Sequence, residues 1–209
     1  MVDSHVEHAA ARADFCRLLA GCYYQPGSEF AEEDVFGSMR TAAMQLDPGL
    51  AASCAEMGAA FAAGSLEELL VDYTRLFLNP TGPLAAPYES VWLGGKDPAL
   101  TQTVMQSVVT FYGEAGFEVD DSFRDLPDHI AAELELFYAL LFREARAVMT
   151  RDEAERATAT DHRRRFVAMH LGRWVGEFAA AVRSGAKTDY FRRLADLTEK
   201  FVALEGARA

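Results

Sequence analysis

Apolar residues recur at intervals of three and four along most of the chain, the spacing of one face of an amphipathic helix. Phe15, Leu18, Leu19 and Cys22 form the first such stripe. No segment alternates apolar and polar positions over a convincing length, as a half-buried strand would. The pattern predicts an all-α fold, a globular bundle of seven or eight helices. The predicted helices lie near residues 5–24, 29–44, 48–63, 65–78, 98–115, 127–150, 155–184 and 187–205.

Sequence signals at three helix starts agree with this pattern. Ser65 is followed three residues later by Glu68, the spacing of a capping box, in which each side chain bonds the main-chain N–H of the other residue. Asp47 and Asp97 each precede a proline, which places a capping carboxylate before a proline at the first helical position. Composition is that of an ordinary globular protein, so residues 1–209 are expected to form one domain.

The segment 79–97 interrupts the helical pattern. Prolines at 80, 83 and 87 and glycines at 82, 94 and 95 exclude a continuous helix or a central strand. Leu84, Val91 and Leu93 nevertheless make the segment too apolar for an ordinary solvated linker. We expect it either to fold back onto the core or to present a recognition surface. The same two alternatives apply to the aromatic residues Tyr73, Phe77, Tyr88 and Trp92.

The chain is acidic, with a formal net charge of −12, and residues 1–140 carry 22 Asp/Glu against 6 Lys/Arg. A second predicted loop, residues 116–127 (GFEVDDSFRDLP), is itself acidic. Repulsion from phosphate groups argues against nucleic acid and anionic membranes as partners. The charge favours a basic partner or peptide, and acidity that serves solubility alone is the alternative.

The environment of the protein can also be predicted. No run of about 18 uncharged apolar residues is present, so neither a transmembrane helix nor stable membrane insertion is expected. The polar, acidic start of the sequence lacks the basic and apolar regions of a secretory signal, which predicts a cytoplasmic location. The three cysteines contain no C-x-x-C pair and are expected to be free, buried or half-buried thiols.

Asp128, His129 and Glu133 form the one chemically suggestive cluster. His129 and Glu133 share a helix face one turn apart, and Asp128 lies where the helix dipole favours an anion. A metal-dependent hydrolase built on these three is kept as an alternative function, but no other histidine has a partner at ligand spacing, so we predict no metal and no cofactor. In a structural alternative, Asp128 caps the helix while His129 and Glu133 hydrogen-bond to each other. In a third, this helix start contacts a ligand.

Three segments resemble those of the TorD/DmsD/NarJ family of cytoplasmic maturation chaperones for molybdenum-containing redox enzymes. Residues 73–77 (YTRLF) are similar to the family's Y-x-x-L-F helix end. Residues 86–92 (APYESVW) are similar to its proline–aromatic–glutamate–serine loop. Residues 127–129 (PDH), with Glu133 and Leu134 after them, are similar to its aspartate–histidine helix start. The resemblance rests on all three together, in this order, in an all-helical chain.

The resemblance implies a non-enzymatic chaperone. It would bind the twin-arginine leader, or an equivalent N-terminal segment, of a molybdoenzyme catalytic subunit and hold it for cofactor insertion before export. Glu89 and Asp128 are the predicted partners of the leader's arginines, since a guanidinium suits carboxylates. Clients that are not exported, as for NarJ, and a homodimer are left open, and a helical interaction scaffold remains an alternative. The predicted peptide-binding residues are Tyr73, Leu76, Phe77, Pro87, Tyr88, Glu89, Ser90, Trp92, Asp128, His129 and Glu133.

Overall fold

Eleven α-helices and one π-helical turn make up the secondary structure of residues 4–118 and 125–208, the part of the chain that the computed structural model describes. That part contains no β-strand, and the predicted all-α fold is confirmed. The helices are α1 (Ser4–Gly21), α2 (Glu29–Glu32), α3 (Val35–Met44), α4 (Pro48–Ala63), α5 (Leu66–Tyr73), the π-helical turn (Thr74–Leu78), α6 (Glu89–Gly94), α7 (Pro98–Glu114), α8 (Ile130–Thr150), α9 (Glu153–Met169), α10 (Leu171–Gly185) and α11 (Asp189–Ala207).

The three predicted helix starts are confirmed. Asp47 accepts a hydrogen bond from the main-chain N–H three residues later at 2.8 Å. Asp97 accepts one from the N–H two residues later at 2.9 Å. At the start of α5, Ser65 and Glu68 form the reciprocal capping box. Each cap satisfies main-chain donors that the first turn of a helix leaves without partners.

The predicted helix at 29–44 is in fact two helices. Asp34 separates α2 from α3 with a φ of 47°, in the left-handed region that a continuing helix cannot contain. The predicted helix at 127–150 begins only at Ile130, because residues 127 and 128 form a turn and His129 is extended. Of the predicted acidic loop 116–127, residues 119–124 lie outside the described part of the chain.

The predicted helix at 155–184 is also divided. His170 lies between α9 and α10 with φ −124° and ψ −98°, and the chain turns sharply there. A Cβ atom on Gly172 would lie 2.5 Å from the carbonyl oxygen of Val167, so the turn requires glycine at this position. The apolar spacing continues through the break, and periodicity alone therefore missed it.

The segment predicted as a loop, 79–97, contains the short helix α6. The helix starts two residues after Pro87, and Gly95, with a φ of 60°, follows its end. Six residues are too few to show a helical period, which is why the sequence pattern did not predict it. The predicted helix at 65–78 is helical throughout, but its last five residues form the π-helical turn.

The core is built by pairwise packing of the long helices. α1 packs against α8 and α3, α11 against α4 and α10, α9 against α8 and α10, and α6 against α7. A buried ion network crosses this core. Arg12 of α1 donates to Glu205 of α11 at 2.6 Å. Glu144 of α8 accepts hydrogen bonds from Arg12 at 3.3 Å and from Arg163 of α9 at 3.0 Å. The network joins the first helix to the last.

Two predictions about the protein's environment can be compared with the fold. The three cysteines are buried and free, as predicted: Cys16, Cys22 and Cys54. Burial raises the pKa of each thiol, to about 12 for Cys22 and Cys54, so all three are protonated at neutral pH. Among the helices described, none has the length and hydropathy needed to cross a bilayer.

Candidate functional site

Two of the three motif segments meet at the starts of α6 and α8. Tyr88 and His129 form an isolated antiparallel bridge. The main-chain N–H of Glu89 donates to the carbonyl of Asp128 at 3.0 Å. The N–H of Ile130 donates to the carbonyl of Pro87 at 2.8 Å. The fold therefore brings together predicted site residues that lie about 40 positions apart in the sequence.

Side chains of the aspartate–histidine pair hold both helix starts. Asp128 Oδ2 accepts a hydrogen bond from the main-chain N–H of Ser90 at 2.9 Å, in the first turn of α6. His129 Nδ1 accepts one from the N–H of Ala131 at 3.1 Å and so caps α8. The prediction that Asp128 caps its own helix is wrong, because its carboxylate bonds the first turn of α6 and His129 caps α8 in its place. Burial lowers the pKa of His129, despite the nearby carboxylates of Asp125 and Asp128, so its ring is neutral at pH 7.

Behind this link lies a buried polar cluster. Glu89, Glu133 and His170 are each at most 1 % exposed. His170 Nδ1 bonds the Glu89 carboxylate at 3.0 Å, and Trp174 Nε1 donates to Glu133 Oε2 at 3.1 Å. His129 and Glu133 therefore do not bond each other through their side chains, as the structural alternative required. Sequence reasoning missed His170 and Trp174, and no motif marked either of them.

Glu133 is a carboxyl group held in its neutral form. Burial, followed by the charge of Glu89, raises the pKa of Glu133 well above the usual range for glutamate. Glu133 Oε1 is buried and has no hydrogen-bond partner among the described residues, as suits an oxygen that carries a proton rather than a charge.

Most of the predicted aromatic site packs in the core. Leu76 is fully buried, and the ring of Phe77 lies 5.3 Å from that of Tyr73 in a T-shaped contact. The Tyr73 hydroxyl donates to a main-chain carbonyl at 3.3 Å. Trp92 is half-buried, and its Nε1 donates to the carbonyl of Ala86 at 2.7 Å, which closes the loop on itself.

The solvent side of the same segment is partly apolar. Leu84 is 49 % exposed and Val91 is 44 % exposed, whereas Pro87 is buried. Tyr88 is half-buried, and its hydroxyl donates to Asp125 Oδ1 at 2.8 Å. One side of the segment therefore packs on the core, as the first alternative expected, and the other side faces solvent, where the recognition surface of the second alternative stays a prediction.

Three carboxylates of the candidate site are shielded from solvent. Asp128, Glu89 and Glu133 are buried and hydrogen-bonded inside the protein, so none of them faces solvent where a substrate could reach it. Within residues 4–118 and 125–208, no group of three His, Cys, Asp or Glu side chains could hold a metal ion. The hydrolase alternative thus has no observation in its favour.

Comparisons with known proteins agree with the resemblance seen in the sequence. The family model described as "Nitrate reductase delta subunit" matches residues 43–180, which contain all three motif segments. The chaperone protein TorD of Shewanella pealeana is 29% identical over 144 residues, 66% of this chain and 59% of that protein. A perchlorate reductase assembly chaperone protein of Dechloromonas aromatica is 32% identical over 138 residues, 63% of this chain and 58% of that protein.

These matches span about three-fifths of the length of the curated relatives. The relatives are named as chaperones rather than as enzymes, in agreement with the non-enzymatic prediction. A crystal structure from Archaeoglobus fulgidus, which carries the name of a redox enzyme maturation protein, superimposes with a TM-score of 0.56. It is 18% identical and covers 91% of this chain and 93% of its own, so it supports the fold alone.

Proposed function

Because the chain belongs to the nitrate reductase delta subunit family, whose model matches residues 43–180, we propose that it is a chaperone in the maturation of a molybdenum-containing oxidoreductase. It would act in the cytoplasm on the N-terminal twin-arginine leader, or an equivalent N-terminal segment, of the catalytic subunit. It would hold that segment while the cofactor is inserted.

The pairing of the two motif segments carries the proposal. Main-chain bonds fix the loop before α6 against the start of α8, and the buried Asp128 holds the first turn of α6 from behind. Tyr88 and Val91 are thereby presented at the surface on a rigid support. Tyrosine beside exposed aliphatic side chains is typical of peptide recognition, since the ring offers apolar area together with a polar tip.

The acidic charge of the chain supports the same proposal. A leader that has a basic end and an apolar stretch would be attracted to the acidic surface and sheltered by the apolar side chains. Binding should then weaken as salt is added but persist at high salt, since screening acts on the charges and leaves the apolar contacts in place.

Calorimetric titration with a synthetic peptide tests the proposal. The peptide carries two consecutive arginines followed by an apolar stretch. Tyr88→Ala should weaken its binding about tenfold, the effect expected for an interface tyrosine. Met149→Ala, which truncates an exposed apolar side chain near the opposite end of α8, is the control and should bind as wild type does. Leu76→Ala is unsuitable because the buried side chain makes its loss a folding defect.

The client can be identified by recovering tagged protein from its native host and analysing bound proteins by mass spectrometry. A molybdoenzyme catalytic subunit among them would support the proposal. Equal binding of the peptide to wild type and Tyr88→Ala would contradict the site, and no binding to wild type would contradict leader recognition itself.

A further inference from the structure

Two tyrosines and two carboxylates form a surface patch next to the bridge between Tyr88 and His129. Tyr88 donates to Asp125 at 2.8 Å, and Tyr24 donates to Glu135 at 2.6 Å. Burial first, and then the hydrogen-bonded carboxylate, raises the pKa of Tyr24 and of Tyr88, and the charge of Asp125 acts on both hydroxyls. We call Tyr24, Tyr88, Asp125 and Glu135 the tyrosine–carboxylate patch.

The patch differs from the buried acids in being accessible. The Asp125 side chain is 38 % exposed, Glu135 is exposed and Tyr24 is 39 % exposed. Glu89 and Asp128, which the sequence offered as partners for arginine, are at most 1 % exposed. An incoming guanidinium can therefore reach the patch without opening the fold, whereas it cannot reach the buried pair.

The chemistry of the patch suits a guanidinium. In the described part of the chain, each carboxylate has one oxygen held by a tyrosine hydroxyl, while Glu135 Oε2 has no hydrogen bond and Asp125 Oδ2 has only the neutral ring of His129, at 3.9 Å. A planar guanidinium pairs with a carboxylate edge and stacks on an aromatic face. The tyrosine hydroxyls thus fix the orientation of the carboxylates, and the tyrosine rings provide faces on which the guanidinium can stack.

A second observation lies beneath the patch. Asp128 Oδ1 is buried and has no hydrogen-bond partner among the described residues, although the other oxygen of the same carboxylate is bonded. Asp128 immediately precedes His129, whose ring contacts that of Tyr88 and whose Nε2 lies 3.9 Å from Asp125 Oδ2, so Asp128 lies behind the patch. A buried oxygen there with unused acceptor capacity favours a bound cation.

We propose that the tyrosine–carboxylate patch is the subsite that receives an arginine side chain of the client's N-terminal segment. The inference rests on the proposed function, and it assigns the basic end of the segment to Asp125 and Glu135 in place of Glu89 and Asp128. The apolar part of the segment would then run toward Val91 and Leu84.

The test is a double-mutant cycle between protein and peptide. The protein variants are wild type and the pair Asp125→Asn with Glu135→Gln. The peptides are the two-arginine peptide of the previous section and a copy in which both arginines are glutamine. The paired variant should lose about tenfold in affinity for the arginine peptide, the effect of removing two charge-assisted contacts at a surface, and less than about twofold for the glutamine peptide.

A control and the opposing outcomes complete the design. Glu177→Gln removes an exposed carboxylate of α10 far along the chain and should leave both affinities unchanged. Equal losses for the two peptides, or no loss for either, would overturn the subsite while leaving leader binding in place. Wild-type protein that binds neither peptide would overturn both proposals. Circular dichroism and the urea midpoint confirm that the paired variant is folded, which the exposure of both side chains leads us to expect.

Discussion

Replacing Glu133 with glutamine should stabilise the protein at alkaline pH and have no effect at acidic pH. The folded protein keeps a proton on Glu133 that the unfolded chain releases above the ordinary glutamate pKa, because burial and Glu89 raise the pKa in the fold. The unfolded state therefore binds fewer protons, and wild-type stability falls as the pH rises from the ordinary value to the raised one. Glutamine is neutral at every pH, so it removes this loss.

The size of the effect follows from linkage. Between the ordinary and the raised pKa of Glu133, the free energy of unfolding of wild type falls by about 1.4 kcal/mol per pH unit relative to that of Glu133→Gln. The glutamine amide can keep the contact with Trp174 Nε1, which Glu133 makes at 3.1 Å, and its NH₂ group replaces the protonated oxygen with a neutral donor. The free energies of unfolding of the two proteins should therefore differ only because wild type binds and releases the proton of Glu133.

Urea unfolding at intervals between about pH 4 and pH 9 measures this difference. The free energies of unfolding of the two proteins should coincide at the acidic end and separate steadily as the pH rises. Glu177→Gln, at an exposed position, should follow wild type throughout. Parallel curves for wild type and Glu133→Gln, or a glutamine variant that is less stable at pH 8, would refute the reasoning, because Glu133 would then be ionised in the fold.

Three further substitutions test the packing around the site. Asp72→Ala should cost about 2–5 kcal/mol in urea unfolding, because the buried carboxylate accepts bonds from two main-chain N–H groups before α11, including that of Thr188 at 2.8 Å. Arg12→Met should cost about 3–5 kcal/mol by the same assay, because it leaves the buried Glu205 without its closest partner. Trp92→Phe should cost about 1 kcal/mol through loss of one hydrogen bond to a main-chain carbonyl, and a thermal melt would detect it.

The sequence was sufficient for the features that local chemistry determines. Caps at Asp47, Ser65 and Asp97 depend on residues within one turn, and all three form as predicted. The helical period likewise predicted the all-α fold. The break at His170 was missed because the apolar positions keep their spacing across it. Gly172, the residue that the turn requires, carried the only signal for this break.

The sequence named the two segments that meet in the candidate site but not the contacts they make. The motifs lie in the loop before α6 and at the start of α8, and the fold brings these together. Whether Glu89 faces a ligand or the interior depends on His170, which lies 81 positions away and belongs to no motif. The sequence likewise could not predict Asp125 and Glu135 as site residues, because exposed acids are common in an acidic chain. Only their tertiary contacts with tyrosines distinguish these two.

The ion pair between Arg12 and Glu205 has a consequence for the synthesis of the protein. The two residues are separated by 193 positions, so at about 5–20 residues per second a ribosome makes the second roughly 10–40 s after the first. Until then the guanidinium has no buried partner from α11 and is better left in water. Helix α1 can therefore complete its buried contacts only after α11 has been synthesised.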